Sequence, residues 1–155
     1  MIKVLFVCHG NICRSTMAEF VMKHLTAEAG LSRQFLIESA ATSTEEIGNP
    51  VHPGTRKILA KKGIPAGQHF AVQMTNADYG KYDWIIGMDN WNIQNIKRIT
   101  GGDPDGKICK LLDFTVRKGA DIADPWYTGN FEDTYGDIDE GCRGFLKAVT
   151  SNLKS

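Results

Sequence analysis

Short apolar runs alternate with amphipathic stretches along most of the chain. The first run, residues 3–7, is β-branched and aromatic, which is typical of a strand buried on both faces. Apolar residues then recur at helical spacing until Gly30. Similar patterns predict strands over residues 35–41, 82–88 and 107–112, and helices over 55–63, 90–99 and from about 131 onward. The alternation predicts an α/β fold, an open parallel four-stranded sheet with helices on both faces.

Two stretches, residues 42–53 and 119–130, do not fit this pattern. Both are rich in turn-forming residues, and both follow a predicted strand. In an open α/β sheet, the loops beyond the carboxyl ends of the strands surround the ligand. We therefore expect both stretches to approach the connection between the first strand and the first helix.

Composition narrows the class of protein. A chain of 155 residues, 42% of them hydrophobic, predicts a single domain over residues 1–155. Its 18 basic residues balance its 18 acidic ones, which argues against nucleic acid or a membrane surface as a partner. The apolar N-terminal run is too short to span a bilayer, so we expect a cytoplasmic protein. The four cysteines have neither zinc-finger nor disulfide-framework spacing, which predicts reduced thiols.

The stretch "VCHGNICRS", residues 7–15, connects the first strand to the first helix. A glycine-bearing loop that ends at a helix N-terminus presents N–H groups to an anion, and we expect Ser15 to cap this helix. The planar guanidinium of Arg14 suits two oxygens of a phosphate. The same field favours the thiolate of Cys8, and a nucleophile beneath a phosphate indicates a cysteinyl-phosphate intermediate.

Simpler interpretations of this stretch are weaker. In the simplest one, Cys8 is an inert buried thiol at a strand end and Arg14 a solvated residue at a helix start, but the placement between a strand and a helix, with Gly10 inside the loop, disfavours it. A zinc site at Cys8, His9 and Cys13 lacks a complementary pair of ligands elsewhere. A Walker-type phosphate loop requires a Gly-Lys-Ser/Thr run, which does not follow.

The motif "VCHGNICRS" together with the later "ADPWYTG" closely resembles the low-molecular-weight protein tyrosine phosphatases, and the similarity extends over essentially the whole chain. The resemblance implies that Cys8 is the nucleophile, that Arg14 binds the phosphoryl oxygens and that Ser15 hydrogen-bonds the thiolate. It implies a strained left-handed Asn11 and a supporting His69 behind the loop. The remaining loop residues implied to contact phosphate are His9, Gly10, Ile12 and Cys13. No metal or cofactor is implied.

Expelling an alkoxide or phenoxide requires a proton donor, and one carboxyl group can later serve as the base for water. We assign this role to Asp124, which Pro125 holds out of a helix and which occupies the general-acid position of the resembled family. Trp126 and Tyr127 are expected to form an aromatic wall of the substrate site. Asp89 is expected to cap a helix and to support the loop.

The sequence departs from the resembled family at Thr16, His9 and Glu45. Thr16 replaces a usual proline at the helix start, which should not affect the chemistry. Glu45 stands where an aromatic residue commonly flanks the phenyl ring, so we predict weaker discrimination in favour of aryl phosphates. The family further implies a reversible disulfide between Cys8 and Cys13 under peroxide.

Three rival functions remain at this point. An arsenate reductase of the same fold needs two further relay cysteines, and "IIGMDNWN" contains none. A protein-arginine phosphatase has threonine in place of Ile12. A catalytically silent phosphate-binding module could dispense with Cys8 and Asp124, and both are present. The preferred partners are phosphotyrosine proteins or small phosphomonoesters, with inhibition by phosphate and vanadate-like oxyanions.

Overall fold

A parallel sheet lies at the centre of the protein. The structure is a computed structural model that describes residues 1–151, so the end of the expected domain at residue 155 lies outside the described residues. Within residues 1–151 the sheet has four strands, Ile2–Cys8 (β1), Phe35–Ala41 (β2), Trp84–Gly87 (β3) and Ile108–Lys110 (β4). Their order is β2-β1-β3-β4, and every neighbouring pair is parallel. The predicted fold class is confirmed.

Six α-helices in the described part of the chain accompany the sheet: Arg14–Glu28 (α1), Pro53–Lys61 (α2), Asp78–Lys81 (α3), Asn90–Thr100 (α4), Pro125–Thr128 (α5) and Phe131–Thr150 (α6). Helix α2 begins two residues before its predicted start, because Pro53 fits the first turn of a helix and the side chain of His52 accepts the N–H of Gly54. Asp89 caps α4 as predicted, accepting the N–H of Asn92.

The central strand β1 is buried on both faces, as its apolar run predicted. Val4 and Phe6 point to one side, where they pack in a core with residues of α1 and α6. Leu5 and Val7 point to the other side and pack with Ile96 of α4. Since alternate residues of a strand face opposite sides, a continuous apolar run needs helices on both faces.

The two later strands are shorter than predicted. β3 covers Trp84–Gly87 rather than residues 82–88, and β4 ends at Lys110 rather than at residue 112. At that point Asp113 accepts the N–H of Lys110, and the chain turns into the 3₁₀ helix Leu111–Phe114. Apolar residues beyond β4 are therefore buried without pairing in the sheet.

β1 ends at Cys8 in the middle of the sheet, and β2 and β3 end beside it. The loops that follow these strands consequently meet at one edge, which is where an open α/β sheet places its ligand. No helix within residues 1–151 is long and apolar enough to cross a membrane.

Candidate active site

The phosphate loop, residues 8–15, wraps around the sulfur of Cys8. The backbone N–H groups of Asn11 and Ser15 point at Cys8 Sγ, with N to Sγ distances of 3.3 and 3.4 Å. The hydroxyl oxygen of Ser15 lies 3.0 Å from the same sulfur. Cys8 is buried at the end of β1, and α1 starts at the close of the loop. These donors and the helix N-terminus surround the sulfur with partial positive charge.

Ser15 does not cap α1, contrary to the expectation from the sequence. The helix begins at Arg14 with Cys13 in the capping position, and no side chain caps it. Ser15 instead lies in the first helical turn with its side chain turned inward toward Cys8. The backbone N–H groups of the loop point inward. The helix therefore begins one residue before Ser15, and the serine side chain lies beside the thiol.

Asn11 holds the loop in shape from within. It is fully buried, and its φ of 59° is the one positive value outside glycine among the described residues. Its Nδ2 donates to the hydroxyls of Ser15 at 2.8 Å and Ser39 at 3.0 Å. Its Oδ1 accepts from His69 Nε2 at 2.8 Å and from the N–H of Val72 at 3.1 Å. The left-handed conformation expected for Asn11 is thus observed, and His69 lies behind the loop.

Two residues that the sequence reasoning missed complete this buried network. Ser39 on β2 donates its hydroxyl to Glu19 on α1, and Glu19 also forms an ion pair with Lys23. Burial lowers the pKa of His69, and the nearby carboxylate of Glu19 opposes this shift only in part. The signal in the sequence was a serine within an apolar strand run and a glutamate on the buried stripe of a helix. We call Asn11, Ser15, Ser39 and His69 the floor of the site.

Arg14 joins the phosphate loop to two other loops. Its side chain is only 3% exposed. Nη1 donates to Asp89 at 2.7 Å and to the carbonyl of Ile122 at 2.8 Å, while Nη2 lies 3.4 Å from Asp124. Burial alone would lower the pKa of Arg14, but the charge of Cys8 and the hydrogen bond to Asp89 outweigh it and raise the pKa. The guanidinium is therefore a fixed, permanent positive charge beside the sulfur.

Asp124 stands at the start of the short helix α5. One carboxylate oxygen accepts the N–H of Trp126 at 3.0 Å, and the other faces Arg14. Pro125 occupies the first helical position, so the predicted extended conformation of the preceding residue is observed at Asp124. The loop of residues 119–130 thus brings a carboxyl group to the phosphate loop, as expected from the sequence.

A cleft opens above Cys8. The residues that line it are Cys8, His9, Gly10, Ile12, Cys13, Arg14, Glu45, Glu46, Asp124, Trp126 and Tyr127. His9 and Glu45, two of the departures noted in the sequence, form a hydrogen bond with an Nε2 to Oε2 distance of 2.9 Å. Trp126 and Tyr127 are 57% and 84% exposed. We call His9, Glu45, Trp126 and Tyr127 the rim of the cleft.

The other three cysteines differ from Cys8 in their surroundings. Burial raises the pKa of Cys13 to about 12, and the charge of Cys8 adds to the shift. Burial likewise raises the pKa of Cys109 to about 12 and raises that of Cys142. These side chains remain thiols at neutral pH. Among residues 1–151, no three His, Cys, Asp or Glu side chains are grouped so that they could hold a metal ion.

Comparison with known proteins agrees with this geometry. Residues 3–155 match the family model described as low molecular weight phosphotyrosine protein phosphatase. The chain belongs to the low-molecular-weight protein tyrosine phosphatase family. Members of this family are hydrolases that use a cysteine to cleave phosphotyrosine.

Individual relatives resemble the chain over nearly its whole length. The low molecular weight protein-tyrosine-phosphatase YfkJ of Bacillus subtilis is 41% identical over 150 residues, which cover 96% of each chain. The crystal structure of YfkJ superposes with a TM-score of 0.93 at 40% identity, covering 100% of this chain and 98% of that one. The phosphatase SP-PTP of Streptococcus pyogenes gives a TM-score of 0.87 at 42% identity, covering 99% and 98%.

Proposed function

We propose that Cys8 and Asp124 carry out phosphomonoester hydrolysis in this phosphatase. The thiolate of Cys8 attacks phosphorus, a sulfur–phosphorus bond forms, and the bond from phosphorus to the leaving oxygen breaks. Asp124 gives its proton to that oxygen, so the alcohol or phenol departs neutral.

The second step returns the enzyme to its starting state. Asp124, now a carboxylate, takes a proton from a water molecule, and the oxygen of that water molecule attacks phosphorus. The sulfur–phosphorus bond breaks, inorganic phosphate forms, and Cys8 is again a thiolate. Arg14 and the N–H groups of the phosphate loop hold the three phosphoryl oxygens throughout, with Asp89 fixing the guanidinium from behind.

One observation carries this proposal. Two backbone N–H groups and the Ser15 hydroxyl converge on Cys8 Sγ, while Arg14 brings Asp124 to the same cleft. A module that only bound phosphate would need neither a thiol surrounded by hydrogen-bond donors nor a carboxyl group in the same cleft. The arrangement supplies the nucleophile, the anion site and the proton donor that one displacement at phosphorus needs.

The cleft supports phosphotyrosine and small aryl phosphates as substrates. Trp126 and Tyr127 offer an aromatic wall to a phenyl ring, whereas Glu45 leaves the opposite side without one. Phosphate and vanadate-like oxyanions should compete for the phosphate loop. A nucleophilic thiol requires a reducing compartment, which supports a cytoplasmic location.

Hydrolysis of an aryl phosphate in the presence of a chelator tests the proposal. Cys8→Ser should abolish activity, because an alcohol in this site is not ionised. Asp124→Ala should lower kcat/KM by about 10²–10⁴-fold for a phenol that leaves poorly. Activity that survives Cys8→Ser, or that the chelator removes, would overturn the mechanism.

The position of Cys13 in the same loop as the nucleophile supports a role for Cys13 in protecting Cys8 from oxidation. Peroxide would oxidise Cys8 to a sulfenic acid, and the thiol of Cys13 would condense with it to a disulfide and release water. A thiol reductant would then restore both cysteines. We expect Cys13→Ser to keep its activity under reducing conditions and to lose reversibility after peroxide treatment.

A further inference from the structure

His52 contacts both of the loops that carry the chemistry. It closes the stretch of residues 42–53, directly before α2. Its backbone N–H donates to the carbonyl of Ile12 in the phosphate loop, with an N to O distance of 2.9 Å. Any residue except proline could make this bond, so the anchoring of the backbone does not depend on the histidine side chain.

The imidazole ring of His52 has two separate sets of contacts. Its Nδ1 accepts the N–H of Gly54 at 2.9 Å, which caps α2. The ring face stacks on Phe131 with centroids 5.1 Å apart, and Trp126 meets the ring at a steep angle with centroids 5.7 Å apart. Such aromatic pairs each contribute beyond the area they bury.

The packing around this ring is close. A Cβ atom on Gly54 would lie 2.4 Å from the ring of Phe131, so only glycine lets α2 approach that ring. Phe131 is the first residue of α6, the long helix packed against α1 and the sheet. The ring of His52 therefore packs against the first residue of α6 as well as against Trp126.

The general-acid loop has far less support. Helix α5 has four residues, and Trp126 within it is more than half exposed. Asp124 accepts the backbone N–H of Trp126 at 3.0 Å, so the carboxyl group and the indole belong to one local turn. A contact that fixes Trp126 therefore also restricts Asp124.

We propose that His52 is a positioning residue, whose ring sets the position of Asp124 relative to Cys8 through its contact with Trp126. The proposal rests on the proposed role of Asp124 as the general acid. Displacing a catalytic group by about 1 Å can cost about 10²-fold in rate, so one edge contact can matter for catalysis while contributing little to stability. Its effect should concern proton donation more than phosphate binding.

A matched pair of variants separates the two sets of contacts. His52→Asn keeps an acceptor for the N–H of Gly54 and removes the ring, whereas His52→Phe keeps a ring and removes the acceptor. We would measure kcat/KM for phenyl phosphate, whose leaving group needs protonation, and for p-nitrophenyl phosphate, whose leaving group needs it less. Inhibition by inorganic phosphate would report on the phosphate loop, and chemical denaturation would report on the fold.

We expect His52→Asn to lower kcat/KM by about 10-fold for phenyl phosphate and by about 2-fold for p-nitrophenyl phosphate, with phosphate inhibition unchanged. His52→Phe should keep the wild-type dependence on leaving group and lose stability through the missing cap. The proposal is overturned if His52→Phe shows the larger dependence on leaving group, or if His52→Asn affects both substrates equally.

Two further variants keep the test decisive. Trp126→Ala breaks the same contact from its exposed side, so it should show the His52→Asn pattern even if His52→Asn does not fold. A wild-type dependence on leaving group in Trp126→Ala would contradict the proposal. Asp124→Ala is the reference: if it lacks a strong dependence on leaving group, the assignment of the general acid fails, independently of His52.

Discussion

The floor of the cleft is held by enclosed side chains, whereas its rim is formed by side chains that solvent reaches. The side chain of Asn11 makes four hydrogen bonds, and its partners lie on three segments of the fold: α1, β2 and the connection between α2 and α3. In the rim, His9 and Glu45 contact each other while 39% and 69% exposed. An exposed pair of this kind contributes only about 0–1 kcal/mol.

This difference in burial indicates which residues support the reaction and which set the substrate preference. Removing one partner of a buried hydrogen bond leaves the other partner unsatisfied at the full cost of its desolvation. Almost any substitution in the floor should therefore be damaging. Exposed contacts can be exchanged with little loss of stability. We therefore expect changes in the floor to damage the reaction itself, and changes in the rim to alter which substrate is preferred.

Asn11→Ala should cause the largest loss among changes outside the catalytic residues. It removes four buried hydrogen bonds and places a Cβ residue with no polar group at a φ of 59°. We expect kcat/KM to fall by about 10²-fold and the free energy of unfolding by about 1–3 kcal/mol, measured by steady-state kinetics and urea titration. Asn11→Gly accepts the backbone angle, so it should recover stability but not activity. An Asn11→Ala enzyme as active as wild type would remove the distinction between floor and rim.

Ser15→Ala should lower kcat/KM by about 10–10²-fold, since a hydrogen bond to a charged group contributes about 1.5–3 kcal/mol. The alkylation of Cys8 by iodoacetate at neutral pH should slow as well, because the thiolate loses its hydroxyl donor. Thr16→Ala is the matched control: it removes a neighbouring buried hydroxyl that bonds to the carbonyl of Cys13 instead of the sulfur. Equal losses in the two variants would show that any buried hydroxyl here has the same effect.

Glu45→Tyr, a substitution in the rim, should raise activity toward an aryl substrate rather than lower it. An aromatic residue there would face the phenyl ring, and such a contact is worth about 0.5–1.5 kcal/mol, so we expect turnover of a phosphotyrosine peptide to rise by about 2–10-fold. Glu45→Gln separates loss of charge from gain of a ring, since it removes the carboxylate beside His9 without adding an aromatic group. No gain with tyrosine, or an equal gain with glutamine, would contradict the idea of a missing wall.

The pH dependence of stability should give the smallest effect. Because the pKa of His69 is lowered in the folded protein, the unfolded chain binds more protons as the pH falls below about 6.5. The free energy of unfolding should therefore decrease as pH falls through this region, and be fully retained above it. Urea titrations at several pH values would show a shallower decrease for His69→Gln, which does not titrate. An identical decrease in both proteins would show that His69 does not contribute to the pH dependence of stability.

Much of this arrangement could be predicted from the sequence, because local patterns determine it. Residues 3–7 predicted a strand buried on both faces, which is observed, and the glycine loop before α1 predicted N–H groups that converge at the start of that helix, as those of Asn11 and Ser15 do. The loops of residues 42–53 and 119–130 were placed correctly from the topology of parallel sheets alone. The proposed mechanism needs a thiol, a guanidinium and a carboxyl group, and this topology brings side chains of these types together.

What the sequence did not show depends on contacts between distant segments. Ser15 fits the pattern of a helix cap, and only the fold of the whole loop turns its hydroxyl toward sulfur. Glu19 and Ser39 lie 20 positions apart and meet because α1 packs beside β2. His52 resembles an ordinary residue before a proline until α5 and α6 place Trp126 and Phe131 around its ring.

In the proposed mechanism, the phosphoryl group is bound covalently to the sulfur of Cys8 between the two steps. We would mix the Asp124→Ala enzyme with p-nitrophenyl phosphate, quench rapidly in denaturant and locate the phosphoryl group by peptide mass spectrometry. Loss of the base slows hydrolysis of the intermediate, so we predict a phosphoryl group on the peptide that contains Cys8, and none in a variant that also carries Cys8→Ser. A phosphoryl group on any other residue, or one that persists without Cys8, would contradict the account.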